Sequence, residues 1–130
     1  MRTLHTRPPS RPMFLNLLQI QMPVGAITSI LHRLTGVLLA AGVPLCLYLL
    51  WRSLDSEAGF AQVMALLHQR AFQAVVILLV WALAHHLLAG TRHMLTDINI
   101  GSTLHKARRS AWTVNIAGAL VALLALGALP

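Results

Sequence analysis

Cysteine is nearly missing from this 130-residue chain: Cys46 stands alone, inside an apolar run, so no intrachain disulfide and no Cys-based metal motif can form. Charge is scarce as well. Asp, Glu, Lys and Arg make up 10% of the residues, against about a quarter in an ordinary soluble domain, which excludes that class. The net charge of +7 would suit a nucleic-acid surface, but the basic residues are scattered between apolar stretches and form no stripe with interleaved aromatics. No nucleic-acid partner is expected. The opening "MRTLHTRPPSRPMF" contains no apolar h-region ahead of a small-residue cleavage site, so it does not read as a signal peptide. There is no internal repeat and no sign of a second domain.

Apolar residues are what the chain has in excess, 57% of the total with a mean hydropathy of +0.71. A hydrocarbon core of about 30 Å needs roughly 20 apolar residues at a rise of 1.5 Å each, and three runs are long enough. They are predicted at about 27–51, 71–93 and 110–130. Each must be a helix, because an isolated strand leaves its backbone groups unpaired in lipid and three strands cannot close a barrel. The expected fold is therefore all-α: a single integral membrane domain over 1–130 with three transmembrane helices. Residues 1–26 are expected to form an irregular arm and then a partly amphipathic interfacial segment broken at Pro23.

Orientation follows from Lys and Arg in the short flanks. Arg2, Arg7, Arg11 and Arg33 lie before or at the start of the first span, and Arg92, Lys106, Arg108 and Arg109 between the second and third. The loop between the first two spans has only Arg52 and Arg70, beside Asp55 and Glu57. The positive-inside rule puts the N-terminus in the cytoplasm and the C-terminus outside.

Polar residues then interrupt the second span. "HHLLAGTRHMLTD" (85–97) follows directly on "AVVILLVWALA", and at 100° per residue His86, Gly90, His93 and Asp97 share one face while His85 points elsewhere. Two readings fit His86. It is an interfacial residue at a helix end, or it is an intramembrane ligand of the kind a b-type haem iron takes, with Gly90 letting a flat macrocycle approach and Arg92 and His93 facing its propionates. Arg92 and His93 read equally as interfacial anchors, and Asp97 as a helix terminator. The first span opens with "ITSILHRLTG", where Ser29 and Arg33 are one turn apart and His32 lies on a neighbouring part of the surface. Together they form either a polar pocket for a quinone head group or, separately, a packing serine and a snorkelling arginine. Trp51 and Trp112 read as interface anchors, and Trp81 and Tyr48 as packing residues.

"SILHRLTG" and "HHLLAGTRHMLTD", with their spacing, the lead-in "RPMFLNLLQIQMP", the three-helix layout and the length, resemble the large cytochrome b anchor subunit of succinate dehydrogenase, the membrane part of respiratory complex II. The resemblance covers nearly the whole chain. It implies that His86 is one axial ligand of haem b iron, the other coming from a small partner anchor within a shared multi-helix bundle. It also implies that Ser29 and Arg33 belong to the ubiquinone site, and that His32, Arg92 and His93 lie near the haem propionates. Two departures stand out: "MFLNLLQ" replaces the Ser-Pro-His lead-in of many members, and "HH" replaces an aromatic-His pair, leaving His85 without a family role.

The expectation is thus a multi-pass subunit of the bacterial inner membrane, with no catalytic centre of its own, embedded in lipid and partnered by a small anchor, an iron–sulfur subunit and a flavoprotein subunit. As the resemblance implies, succinate is oxidised at the flavin, electrons pass through iron–sulfur clusters, and ubiquinone is reduced as the tricarboxylic acid cycle feeds the respiratory chain. Two alternatives remain at this stage: the anchor of a fumarate reductase, or a cofactor-free scaffold or transporter subunit.

Overall fold

A computed structural model describes residues 21–129. The expected N-terminal arm lies outside the described residues as far as residue 20. Every regular element among the described residues is a helix: α1 (Val24–Asp55), α2 (Glu57–Leu67), α3 (Arg70–Asp97) and α4 (Leu104–Ala128). Of these, α1, α3 and α4 are long and apolar enough to cross a membrane.

Helix starts and stops follow from local chemistry. Pro23 sits at the N-cap of α1 with φ −65°, where its missing N–H is no loss, and its carbonyl accepts from Ala26 N–H at 2.9 Å. The segment between α1 and α3 is read from the sequence only as a loop, yet it folds as α2. Ser56, in extended backbone, caps it by accepting from Gly59 N–H at 3.1 Å, and Glu57 places a negative charge at the positive end of the helix dipole. Arg52 ties α2 back to α1 by donating to Gln62 Oε1 at 2.9 Å, and Gln73 of α3 donates to the Leu67 carbonyl at 3.0 Å.

At the other end, Asn99 ends α3 in the left-handed region, φ 63°. Its N–H returns to the Thr96 carbonyl at 3.0 Å and that of Ile100 to the Leu95 carbonyl at 2.8 Å, a Schellman closure that satisfies carbonyls the helix end would otherwise leave open. The chain reverses within Ile98–Thr103, so α4 runs antiparallel beside α3.

The long helices meet along narrow stripes of small and polar residues. In α3 the buried positions include Ala82, His85 and Ala89, and in α4 they are Ala111, Val114 and Gly118, both at intervals of three then four. Those of α1 are Thr28, Thr35 and Gly42, seven apart. Within lipid the hydrophobic effect does not draw helices together, and close packing of small residues with interhelical hydrogen bonds takes its place. The remaining surface is apolar and open: Leu34, Val37, Leu87, Leu123 and Leu124 are all exposed, as lipid-facing positions require. Trp51 and Trp112 are exposed as interface anchors would be, and Trp81 packs against His85 with ring centroids 5.7 Å apart. Tyr48, expected to pack, is instead exposed beside Trp51, because its face of α1 meets no other helix of this chain.

Gly118 brings α4 close to α3 at His85. A Cβ there would lie 3.3 Å from His85 Cβ and 3.6 Å from its Cα, so the obstacle is at the backbone and cannot swing away. Gly118→Leu should separate the two helices at a cost of about 1–3 kcal/mol. Thermal unfolding of the detergent-extracted protein should show a transition several degrees lower, and an unchanged transition would refute the contact.

Candidate functional site

The polar residues of the bundle collect near the end where α1 begins, α3 finishes and α4 begins. Consecutive residues of a helix point about 100° apart, and His85 and His86 use that difference to face two different helices.

His86 faces α1. Its Nδ1 lies 3.0 Å from the His32 carbonyl oxygen and 3.3 Å from Thr35 Oγ1. A carbonyl can only accept, so Nδ1 carries the hydrogen and donates to it, which fixes the tautomer. The Thr35 hydroxyl donates to the same carbonyl at 2.9 Å, bracing the turn that holds the histidine. Nε2 is left as the basic nitrogen of the ring. A hydrogen bond from one ring nitrogen to a backbone oxygen orients an imidazole and leaves the other nitrogen's lone pair as the one able to coordinate a metal.

Two more imidazoles surround it. The His32 ring stacks on His86 with centroids 4.1 Å apart and planes 13° apart, and His93 approaches His32 at 5.3 Å, tilted by 57°. Glycines make the room. A Cβ at Gly36 would lie 3.0 Å from His86 Cε1, and one at Gly90 would lie 3.2 Å from His32 Nε2. The space beside Gly90, assigned from the sequence to a macrocycle, is taken here by His32. Among the described residues no group of three or more His, Cys, Asp or Glu side chains converges on one point as a metal cage.

The other expected residues separate. Ser29 is half-buried and Arg33 exposed, and His32 turns to α3 instead of closing a pocket with them. Arg92 reaches toward α4, donating from Nε to Ser110 Oγ at 3.0 Å and from Nη2 to the Ala107 carbonyl at 3.1 Å. It lines a cleft of about 730 Å³ with Gly25, Arg108, Trp112 and Asn115, a cleft that includes neither Ser29 nor His86.

His85 faces α4 and is 1% exposed. Its Nε2 lies 3.1 Å from Asn115 Oδ1, and Thr28 Oγ1 reaches the same oxygen at 3.2 Å and its own Val24 carbonyl at 3.0 Å. With Nε2–H donating, Nδ1 is a bare acceptor, and it is buried without a partner among the described residues. Leaving it so costs about 1–3 kcal/mol. Sequence reading placed His85 away from His86 but assigned nothing to Asn115 or Thr28, since the only signal for them is a polar side chain in an apolar run.

Known proteins resemble the chain over most of its length. Residues 7–126 fit the family model described as the succinate dehydrogenase/fumarate reductase transmembrane subunit. The chain belongs to that family. Among members of this succinate dehydrogenase/fumarate reductase family, it is 34% identical over 116 residues to the succinate dehydrogenase cytochrome b556 subunit of Coxiella burnetii, covering 88% of this chain and 93% of that one. It is 36% identical over 114 residues to the subunit of the same name from Paracoccus denitrificans, covering 86% and 85%. The chain is thus a multi-pass transmembrane subunit of the succinate dehydrogenase/fumarate reductase family, with the all-helical architecture the sequence predicts.

The tautomer of His86 can be read directly. In protein labelled with 15N-histidine and reconstituted in lipid without added cofactor, Nδ1 of His86 should give a protonated, pyrrole-type resonance and Nε2 a bare, pyridine-type one. His86→Ala assigns the pair, and the opposite pattern would refute the hydrogen bond to the His32 carbonyl.

Proposed function

We propose that this chain is the large anchor of a succinate:ubiquinone oxidoreductase, supplying one axial ligand to haem b and part of the site where ubiquinone is reduced. The observation that carries the reading is His86: an imidazole in a membrane-spanning helix, its Nδ1–H held by the His32 carbonyl and its Nε2 basic, set within "HHLLAGTRHMLTD". A lone ligand needs a second from another chain, which is why a small partner anchor completes the site. The relatives' name, cytochrome b556 subunit, supports haem b as the group. When bound, haem b supplies a one-electron carrier beside the quinone.

The residues of this chain then divide the work. His86 Nε2 would hold the haem iron. His32 and His93 stand beside it at the end of the bundle where propionates meet the interface, and Arg92, two turns beyond His86, adds a cation braced against α4. Ser29 and Arg33 lie one turn apart at the start of α1, where a quinone ring entering from lipid meets the interface. The Ser29 hydroxyl donates to a quinone carbonyl oxygen, and Arg33 stabilises the negative charge that grows on that oxygen as electrons arrive. Ser29 and Arg33 do not close a pocket alone, which agrees with a site completed by the iron–sulfur subunit and the small anchor. Succinate is oxidised on the flavoprotein subunit, and its two electrons, with two protons, convert ubiquinone to ubiquinol. The family description includes fumarate reductases, but both relatives are named as succinate dehydrogenases, which favours this direction. The positive flanks place the N-terminus in the cytoplasm of a bacterium and the C-terminus in the periplasm, across the inner membrane.

Two sets of variants test this. His86→Ala should abolish the low-spin b-type absorption bands of the purified complex, and a native reduced-minus-oxidised spectrum would remove the ligand assignment. Ser29→Ala should lower ubiquinone reduction by removing one hydrogen bond worth about 1–3 kcal/mol to the developing anion. Arg33→Leu, which removes a charge as well, should cost more. Transfer from succinate to a soluble dye that accepts at the hydrophilic subunits should survive in both. Normal ubiquinone turnover in both would sink the pocket, and loss of dye reduction would indicate failed assembly.

A further inference from the structure

Thr28 immediately precedes Ser29, and His85 immediately precedes His86. Thr28 and His85 both bind one side chain, Asn115, on a third helix that bears none of the proposed site residues. We propose that Thr28, Asn115 and His85 form a clasp that sets the rotation of α1 and α3 about their axes, and that Asn115 is thereby a positioning residue for both Ser29 and His86. The inference rests on the reading of those two residues as quinone donor and haem ligand.

Three observations carry it. Thr28 and His85 are 0% and 1% exposed, so the clasp lies in the helix interface, where rotation is decided. Gly118, one turn beyond Asn115 on α4, lets the His85 backbone come close, which brings its ring to Asn115 and no further. Finally, Nδ1 of His85 is buried and unpaired, a cost that apolar residues of similar size would avoid. A polar pair kept at such a cost is explained by direction: hydrogen bonds fix angle and register, whereas apolar contacts slide. Consecutive helical residues are locked about 100° apart, so holding His85 on Asn115 holds His86 on the His32 carbonyl, and holding Thr28 holds Ser29 toward the outer edge of α1.

The test uses the assembled complex in native membranes. Asn115→Leu is nearly isosteric, and Asn115 bonds to neither Ser29 nor His86; because it shares a cleft with Arg92, the Thr28 variants, which lie outside that cleft, separate the clasp from an effect on Arg92. It should shift the low-spin electron paramagnetic resonance g values of the haem and lower ubiquinone reduction several-fold, with succinate-to-dye transfer unchanged. Thr28→Val, which removes the hydroxyl, should lower ubiquinone reduction likewise, and Thr28→Ser, which keeps it, should behave as the native protein. The double variant His85→Leu/Asn115→Leu separates positioning from stability: it should regain the thermal stability that Asn115→Leu loses while its g values stay displaced. Native g values and native ubiquinone reduction in assembled Asn115→Leu would overturn the proposal, as would a double variant that recovers both stability and g values. If Asn115→Leu fails to assemble, the Val and Ser variants of Thr28 decide it, equal ubiquinone reduction in the two counting against the clasp. His86→Ala serves as the control. A native haem spectrum there overturns the ligand reading and the α3 arm of the clasp with it, whereas loss of that spectrum beside native g values in Asn115→Leu overturns the clasp alone.

Discussion

A polar side chain in hydrocarbon has no water to turn to, and the arrangement of this bundle follows from where its few polar groups find one another. His86 reaches the backbone of α1, His85 reaches Asn115 of α4, and Arg92 reaches Ser110 and Ala107 of α4. Each of these contacts begins on α3, so α3 is the element against which the other two long helices are placed. Small residues complete the arrangement by letting backbones come close enough for short side chains to meet. The adjacency of His85 and His86 puts two imidazoles on successive residues, facing different neighbours.

Much of this was legible in the sequence, for reasons that differ by feature. The three spans are visible because lipid demands long uninterrupted apolar runs, and the helical phase of "HHLLAGTRHMLTD" correctly groups His86 with Gly90 and His93. The role of His32 was only half legible. Its place on α1 is clear from periodicity, but its stacking on His86 depends on how α1 crosses α3, which no local pattern encodes. Thr28 and Asn115 escaped for the same reason, since a hydrogen bond between residues 87 apart leaves no trace in either neighbourhood. The helix α2 could have been found: a serine followed by glutamate ahead of an apolar run is a helix-start signal, masked here by the expectation of a loop. The grouping of Ser29 with His32 and Arg33 placed three polar residues together because they are close in sequence, and tertiary packing drew His32 away.

Burial also indicates how much of the molecule faces outward. Between 11% and 17% of the residues in the most apolar window of each long helix are buried within the chain, so most of the spanning surface meets lipid or other subunits. So open a bundle suits a subunit that packs against neighbours, and the polar side chains near His86 orient its ring without enclosing it.

The hydrogen bonds of His86, His85, Thr28 and Arg92 that cross between the long helices all lie in one half of the bundle. In the other half, apolar packing of Leu79 against Gly42 joins α3 to α1, and α2 closes the far interface. The two halves therefore differ in mechanical stiffness. Changes in bilayer thickness or lateral pressure should be absorbed by sliding in the packed half, through rotamer shifts of leucines, while the pinned half transmits little of the strain. The hydrogen-bonded end of the subunit gains from this arrangement a built-in isolation from the changing membrane around it.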